Sequence, residues 1–240
     1  MAVEVLEQLY EGKAKKVFKT SDDALYMVEY KDDATAFNGE KRGTIEGKGV
    51  INNKMSAMLF KELEKQGIET HLVEFVDDTH QLVKRVEIVP LEVIARNVIA
   101  GSLSKRVGRP EGEVLPQPIL EFSYKNDDLG DPMINRFHAT ALGLATDEEI
   151  DNIIAQALKI NEFLQAIFDK ANLVLVDFKL EFGRTPDGKI ILADEISPDT
   201  CRLWDKDTHE KLDKDRFRRD LGGVEEAYIE VYNRLKNIGL

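Results

Sequence analysis

The chain is short of several things, and each shortage narrows what it does. It has a single cysteine, Cys201, in 240 residues, so no intrachain disulfide can form and a reducing cytoplasm fits. Cys201 has no metal-ligand spacing around it and reads as a small buried residue rather than a nucleophile. The four histidines, His71, His80, His138 and His209, stand in unrelated contexts, with no spacing of a zinc site. No apolar run is long enough to span a membrane, and the opening MAVEVLEQLY, with its early acids, does not read as a signal peptide. An excess of positive charge is also lacking. A formal net charge of -12 argues against a nucleic-acid surface, which needs a basic footprint. It does not forbid small anionic substrates, provided the site gathers its own lysines and arginines. There is no GxxxxGK[ST] loop, no Gly-x-Ser-x-Gly elbow and no internal repeat. Chemistry is left to carboxylates, lysines and arginines, an inventory that favours phosphate handling over acyl hydrolysis or redox.

What is present is ordinary globular material, 42% hydrophobic and 32% charged, in a length that suits one large domain or two small ones. Short β-rich runs at Ala24–Tyr30, His71–Val76 and Gln81–Val89 surround one helix expected at Asn52–Gln66, with Met55, Met58, Leu59 and Leu63 as its core face. A further strand is expected at Leu91–Val98, and a polar stretch runs from Gly101 to Pro118. A long helix starts at the capping box Thr146-x-x-Glu149, and a last one covers Val224–Lys236. Without regular βαβ alternation this predicts an α+β fold with antiparallel sheets. It also predicts a β-rich first lobe, residues 1–89, a mixed second lobe, residues 90–240, and a site between them.

The segment Leu173–Ile196, LVLVDFKLEFGRTPDGKIILADEI, carries the most information. From Leu173 to Phe182 residues alternate, with Val174, Val176, Phe178, Leu180 and Phe182 on one face and Asp177, Lys179 and Glu181 on the other. Asp187-Gly188 signals a hairpin to a second strand, Lys189–Ile196. A two-residue turn sets Glu181 opposite Asp194, and a four-residue loop leaves them diagonal on one face. Only an odd loop or a bulge separates them. Two facing carboxylates repel, and a bound divalent cation reverses that sign. A solvated outer face with Lys179 offsetting the charge is the competing reading.

Four further constellations carry charge. In YEGKAKKVF, Lys13 and Lys15 point the same way on an extended segment and Gly12 permits close approach to a ligand, although a lysine-guarded edge strand looks the same. In Arg96–Arg106, Gly101-Ser102 at a helix start and the Arg96 guanidinium suit phosphate or carboxylate, or merely cap a basic helix. In DEISPDTCRLWD, Arg202 arrives beside carboxylates with which it can simply pair. In DKDRFRR, Lys214 and Arg218 share a helical face. Glycines 39, 43, 47 and 49 make the segment 38–49 a candidate to close over ligand.

Taken together, YEGKAKKVF, DDATAFNGEKR, VPLEVIARNVIAGSLSKR, LVDFKLEFG, LADEISPDTCRLWD and LDKDRFRRDLGG resemble the SAICAR synthetase (phosphoribosylaminoimidazole-succinocarboxamide synthase) family from about Leu9 to the final helix. The resemblance implies an ATP-dependent ligase of purine biosynthesis that joins L-aspartate to the carboxylate of carboxyaminoimidazole ribonucleotide (CAIR), giving SAICAR, ADP and phosphate. It implies a two-lobed α+β fold with ATP between the lobes, as in kinases and ATP-grasp enzymes, and a cytoplasmic homodimer. Position by position, it implies that Gly12, Lys13 and Lys15 hold ATP phosphates and that Lys84 lies near the nucleotide. Arg85, Val86 and Glu87, in the stretch to Val89, offer backbone groups to adenine. Glu181 and Asp194 match Mg²⁺ ligands, and Arg96, Ser102 and Arg202 match ligands of the ribonucleotide. Lys214 and Arg218 match further substrate-lining positions, and Asp177, Lys179 and Asp199 stand with Lys13 as candidate catalytic groups. The rivals are a small-molecule kinase, a nucleotide-binding regulatory protein without turnover, and an acidic scaffold that binds no nucleotide.

Overall fold

The computed structural model describes residues 3–36 and 39–240. Fourteen strands, six α-helices and a 3-10 turn at Asp127–Leu129 occupy the described residues. Along the chain they are β1 (Val5–Glu11), β2 (Lys15–Thr20), β3 (Leu25–Tyr30), β4 (Asp33–Ala36), β5 (Lys41–Thr44), α1 (Lys48–Lys65), β6 (Leu72–Phe75), β7 (His80–Lys84), β8 (Glu87–Ile88), β9 (Leu91–Val98) and α2 (Gly101–Val107). They continue as β10 (Val114–Tyr124), β11 (Met133–Ile134), α3 (Arg136–Ala141), α4 (Asp147–Lys170), β12 (Leu173–Arg184), β13 (Ile190–Ala193), β14 (Cys201–Asp205), α5 (Asp215–Arg218) and α6 (Val224–Asn237).

Two antiparallel sheets dominate. The first runs β1-β2-β3-β7-β6, and the second runs β11-β10-β9-β12-β13, with β14 and β8 also paired to β12. The fold is the expected α+β arrangement. Helix α4 packs on β12, β9 and β13 of the second sheet, α1 packs on β3, β6 and β7 of the first and α6 lies against α1, and Phe60, Leu164, Phe178 and Tyr228 share one continuous core. The capping box of α4 forms as the sequence predicts: Glu149 N donates to Thr146 Oγ1 at 3.1 Å, and Thr146 N donates to Glu149 Oε2 at 2.8 Å. Helix α1 begins four residues before its expected start. Asp32 accepts from Gly47 N and Gly49 N and so fixes the entry to the helix.

The structure corrects the sequence reading at three points. Beyond the helix expected at Gly101, the polar stretch 101–118 also holds the first five residues of β10. Pro116 and Pro118, which have no backbone N–H to donate, fall where the pairing with β9 is irregular, between Val114 and Ile119. The apolar run Gln81–Val89 is two strands in different sheets, so Arg85 and Val86 cross between the sheets rather than continue one strand. The alternation in β12 is also not continuous. A register shift between Leu175 and Asp177 switches the faces. Leu173 and Leu175 therefore join the main core with Phe178, Leu180 and Phe182, while Val174 and Val176 pack against Val98 and Trp204 on the opposite side. This accounts for the apolar start on what looked like the charged face. The segment Asn38–Gly49 lies partly outside the described residues; of the rest, 41–44 is strand and Lys48 opens α1.

Candidate active site

The two sheets enclose a cavity of about 600 Å³. Lys15, Val17, Val28 and Val83 line it from the first sheet, and Glu92, Ile94, Asp177, Lys179 and Glu181 from the second. Charged side chains from five of the six sequence motifs converge on it, and the sixth, DDATAFNGEKR, contributes Thr35, Ala36 and Gly39.

One end holds lysines and carboxylates. The three-residue loop Pro186–Gly188 closes the β12–β13 hairpin, with Arg184 opposite Ile190 and Glu181 opposite Ala193. This is the odd loop expected to separate Glu181 from Asp194. The separation is undone one residue later, because Asp194 adopts a left-handed backbone with φ 59° and returns its side chain to the cavity. Lys179 Nζ then lies 2.5 Å from Glu181 Oε1, 3.3 Å from Asp194 Oδ2 and 3.4 Å from Glu92 Oε1. Lys15 binds Asp194 on its other oxygen and stands 3.8 Å from Glu195 Oε2, and Lys125 reaches Glu181 at 3.0 Å. Burial alone would lower the Lys15 and Lys179 ammoniums, but the surrounding carboxylates outweigh it and hold both above the usual lysine range. Burial likewise pushes Asp194 up, yet Lys15 and Lys179 outweigh it and keep the group an anion well below the usual carboxylate range. Burial raises Glu195.

The other end holds guanidiniums. Arg96 donates to Glu121 at 2.7 Å, to Asp177 at 2.8 Å and to Ser102 Oγ at 3.4 Å. Arg202 donates to Asp177 at 2.9 Å and to Asp215 at 3.0 Å, and Arg218 donates to Asp215 at 2.7 Å. Asp177 thus fixes two guanidiniums from adjacent strands. A Cβ at Gly101, where φ is +54°, would lie 2.6 Å from Arg202 Nη2, so glycine makes room for that guanidinium. Between the two ends Asp199 accepts from Lys48 and lies 3.6 Å from Lys214 Nζ.

Most residues singled out in the sequence meet here: Gly12, Lys13, Lys15, Lys84, Val86, Arg96, Asp177, Lys179, Glu181, Asp194, Asp199, Arg202, Lys214 and Arg218 all line the cavity. Three do not. Ser102 stands behind Arg96, Arg85 extends to Asp23 O and the Tyr26 ring, and the exposed Glu87 pairs with Arg184 at 3.3 Å. Lys13 is half-exposed and pairs with Asp127 at 2.7 Å across the cavity mouth. Sequence reasoning missed Lys48, Glu92, Lys125 and Glu195 as site groups. Glu195 was legible beside Asp194, but the others carry no local pattern and arrive only through the pairing of strands and the start of α1.

Glu181 and Asp194 offer hard carboxylate oxygens, and Glu195 Oε2 is a buried oxygen with no hydrogen-bond partner among the described residues. No cage of three or more protein ligands stands among the described residues. A Mg²⁺ held by one or two carboxylates plus phosphate oxygens needs none, so the donor set fits that ion.

Residues 8–235 match the family model described as SAICAR synthetase. A phosphoribosylaminoimidazole-succinocarboxamide synthase of Lachnoclostridium phytofermentans is 65% identical, over 96% of this chain and 97% of that protein. One from Coprothermobacter proteolyticus is 61% identical, over 97% and 99%. A solved structure of a SAICAR synthetase (Type-2) in complex with ADP superposes with a TM-score of 0.93 at 51% identity, covering 96% of this chain and 98% of that one. Fold, cleft and matches define the class: an ATP-dependent ligase of purine biosynthesis. The chain belongs to the SAICAR synthetase family.

Proposed function

We propose that this cavity binds ATP, CAIR and L-aspartate together and condenses the last two into SAICAR, with release of ADP and phosphate. The observation that carries the reading is the polarity of the cavity. Lys15, Lys125 and Lys179 gather on Glu181 and Asp194 at one end, and Arg96 and Arg202 gather on Asp177 at the other. The lysine end suits the phosphates, with Gly12, Lys13 and Lys15 on the β1–β2 turn and Lys84 and Val86 beside the base. The guanidinium end suits the ribonucleotide, held by Arg96, Arg202, Lys214 and Arg218 with Ser102 supporting Arg96. Bound by Glu181 and Asp194 together with phosphate oxygens, Mg²⁺ would neutralise charge gathering on the γ-phosphoryl group.

A carboxylate is a poor acylating agent, and the chain's task is to bring it to the γ-phosphorus in line with the leaving ADP oxygen. The CAIR carboxylate attacks there, the bond to ADP breaks, and an acyl phosphate forms. The aspartate amine then attacks the acyl carbon, sheds a proton, and displaces phosphate as the amide bond forms. Lys15 and Lys179 act as fixed cations whose orientation is set by carboxylates before substrate arrives. Asp177 and Asp199, carboxylates among the candidate catalytic groups, are candidate acceptors of that proton, but each is held by two cationic side chains and serves better as a fixed anion. We divide the chain at the crossing near Val89, residues 1–89 contributing the nucleotide side and 90–240 the metal and ribonucleotide side. We also read it as a cytoplasmic homodimer. Its one cysteine suits a reducing compartment, and the exposed Val114, Phe137 and Leu142 are apolar surface that a second copy would cover.

Phosphate release from ATP with Mg²⁺ and CAIR, with and without L-aspartate, tests the reading alongside detection of the amide. Aspartate-dependent release matched one-for-one by amide supports it. Release without amide would point to a kinase, and nucleotide binding without release to a regulatory protein.

A further inference from the structure

Lys48 is one of the largest fully buried side chains among the described residues, at 1% exposure. It opens α1, where Asp32 pins the backbone of Gly47 and Gly49. Its ammonium donates to Asp199 Oδ2 at 2.8 Å. The second oxygen of Asp199 is taken from a different direction, because Tyr228 of α6, itself 0% exposed, donates its hydroxyl to Oδ1 at 2.6 Å. Lys214, at the start of α5, completes the set 3.6 Å from Oδ2, and Asp199 N donates to Ser197 Oγ at 3.1 Å. Helix α1 and, from the far end of the chain, the neighbouring α5 and α6 therefore converge on a single carboxylate in the cavity wall. Of these groups Lys214 and Asp199 line the cavity, whereas Lys48 and Tyr228 stand behind it.

A buried ammonium and a buried phenol are costly to place unless each is hydrogen-bonded, and here both partner the same group. Their joint effect is to fix the position and the charge of Asp199 while leaving its outer lone pairs free toward the cavity. An anion held in this way accepts hydrogen bonds from a donor and is a poor sink for a proton.

We propose that Lys48 and Tyr228 are positioning residues that hold Asp199 as a fixed anionic acceptor for a substrate amino group, either the ammonium of the amino acid or the ring amine of the aminoimidazole nucleotide. The proposal rests on the ligase reading above and adds to it how one wall of the site is built. The charged and titratable groups packed around Asp199 are Lys48 from α1, Tyr228 from α6, Lys214 from the start of α5, Arg218 further along α5, and Glu195 from its own loop. Burial favours the neutral form of Asp199, but Lys214 and Lys48 outweigh it and keep the carboxyl below its usual range. A carboxyl depressed in this way stays charged until pH falls through its own lowered value. Removing Lys48 or the Tyr228 hydroxyl raises that value.

Full-length Tyr228→Phe and Lys48→Met would be compared with wild type in the complete assay with ATP, Mg²⁺, CAIR and L-aspartate. For Tyr228→Phe the melting temperature and ADP affinity stay near wild type. The KM for one amino-bearing substrate rises about 10-fold, the size expected for a lost hydrogen bond to a charged group. A rise for L-aspartate assigns the ammonium, and a rise for CAIR assigns the ring amine. In both variants the acid limb of kcat/KM for that substrate moves to higher pH. Unchanged KM values for both substrates overturn the proposal, as does an acid limb that stays in place. A parallel loss of ADP affinity and of all KM values in Tyr228→Phe also overturns it, because that would be a structural effect. Failure of the wild-type protein to form amide would instead sink the ligase reading itself.

Discussion

Glu181 and Asp194 share the ammonium of Lys179, at 2.5 Å and 3.3 Å, although the three-residue hairpin loop between their strands puts them out of phase. The left-handed backbone of Asp194 restores the phase, so the pair depends on one residue's conformation as much as on strand alternation.

Replacing Asp194 by asparagine therefore separates charge from conformation. Asparagine tolerates the left-handed region, whereas a β-branched residue does not. Asp194→Asn is expected to melt within a few degrees of wild type while losing phosphate release by about 100-fold or more, the scale of one missing electrostatic group. Asp194→Val loses the same activity and a further 1–2 kcal/mol or so of stability through backbone strain. Equal melting temperatures for the two variants would show that the left-handed turn costs valine nothing.

Glu181 faces two ammoniums, Lys179 and Lys125, and is one of the two carboxylates proposed above to hold Mg²⁺. Glu181→Ala is expected to abolish turnover with the fold retained by circular dichroism. Full activity with an unchanged melting temperature would remove Glu181 from the site.

Gly183 lies directly beneath the crossing between the sheets, and a Cβ there would sit 2.3 Å from Val86 Cγ2. Gly183→Ala is expected to push Val86 toward the cavity and weaken ADP binding, by about 10-fold if roughly 1.4 kcal/mol of contact is lost. Calorimetric titration of ADP checks it, and an unaltered affinity would place the base elsewhere in the cavity.

The Arg184–Glu149 pair ties the end of β12 to the first turn of α4. The Arg184 hydrogen bond outweighs the opposing effect of burial and holds Glu149 down at about 2. A depressed carboxyl contributes stability that is complete above its unfolded value, about 4.3, and is lost as pH falls toward 2. With discount for solvent screening the contribution is at most about 2 kcal/mol. Urea unfolding at pH 7 and pH 3 should show Glu149→Gln less stable than wild type at pH 7 and a smaller gap at pH 3. A gap that stays constant would mean the pair does not titrate in this range.

Some elements were legible because their cause is local. The capping box of α4, the apolar stripe of α6 and the strand Leu91–Val98 each follow from side chains within a few residues of one another, and all three stand where the pattern put them. The start of strand β10 was hidden by a polar stretch whose prolines fall where the pairing is irregular, and the split of β7 from β8 by a run apolar enough for one strand.

The sequence by itself determined which chemical groups the protein has available: lysines, arginines and carboxylates in fixed motifs, with a single cysteine and four histidines. Only the tertiary structure decided which of these groups face one another. Lys48 and Tyr228 meet at Asp199 across 180 residues of chain, and Lys125 meets Glu181 across 56. The bulge at Val176 and the left-handed turn at Asp194 decide which side of a strand reaches the cavity. Side-chain alternation has a period of two, so one extra residue or one reversed dihedral exchanges the faces, and that choice is made by packing against the other sheet rather than by any residue next in line.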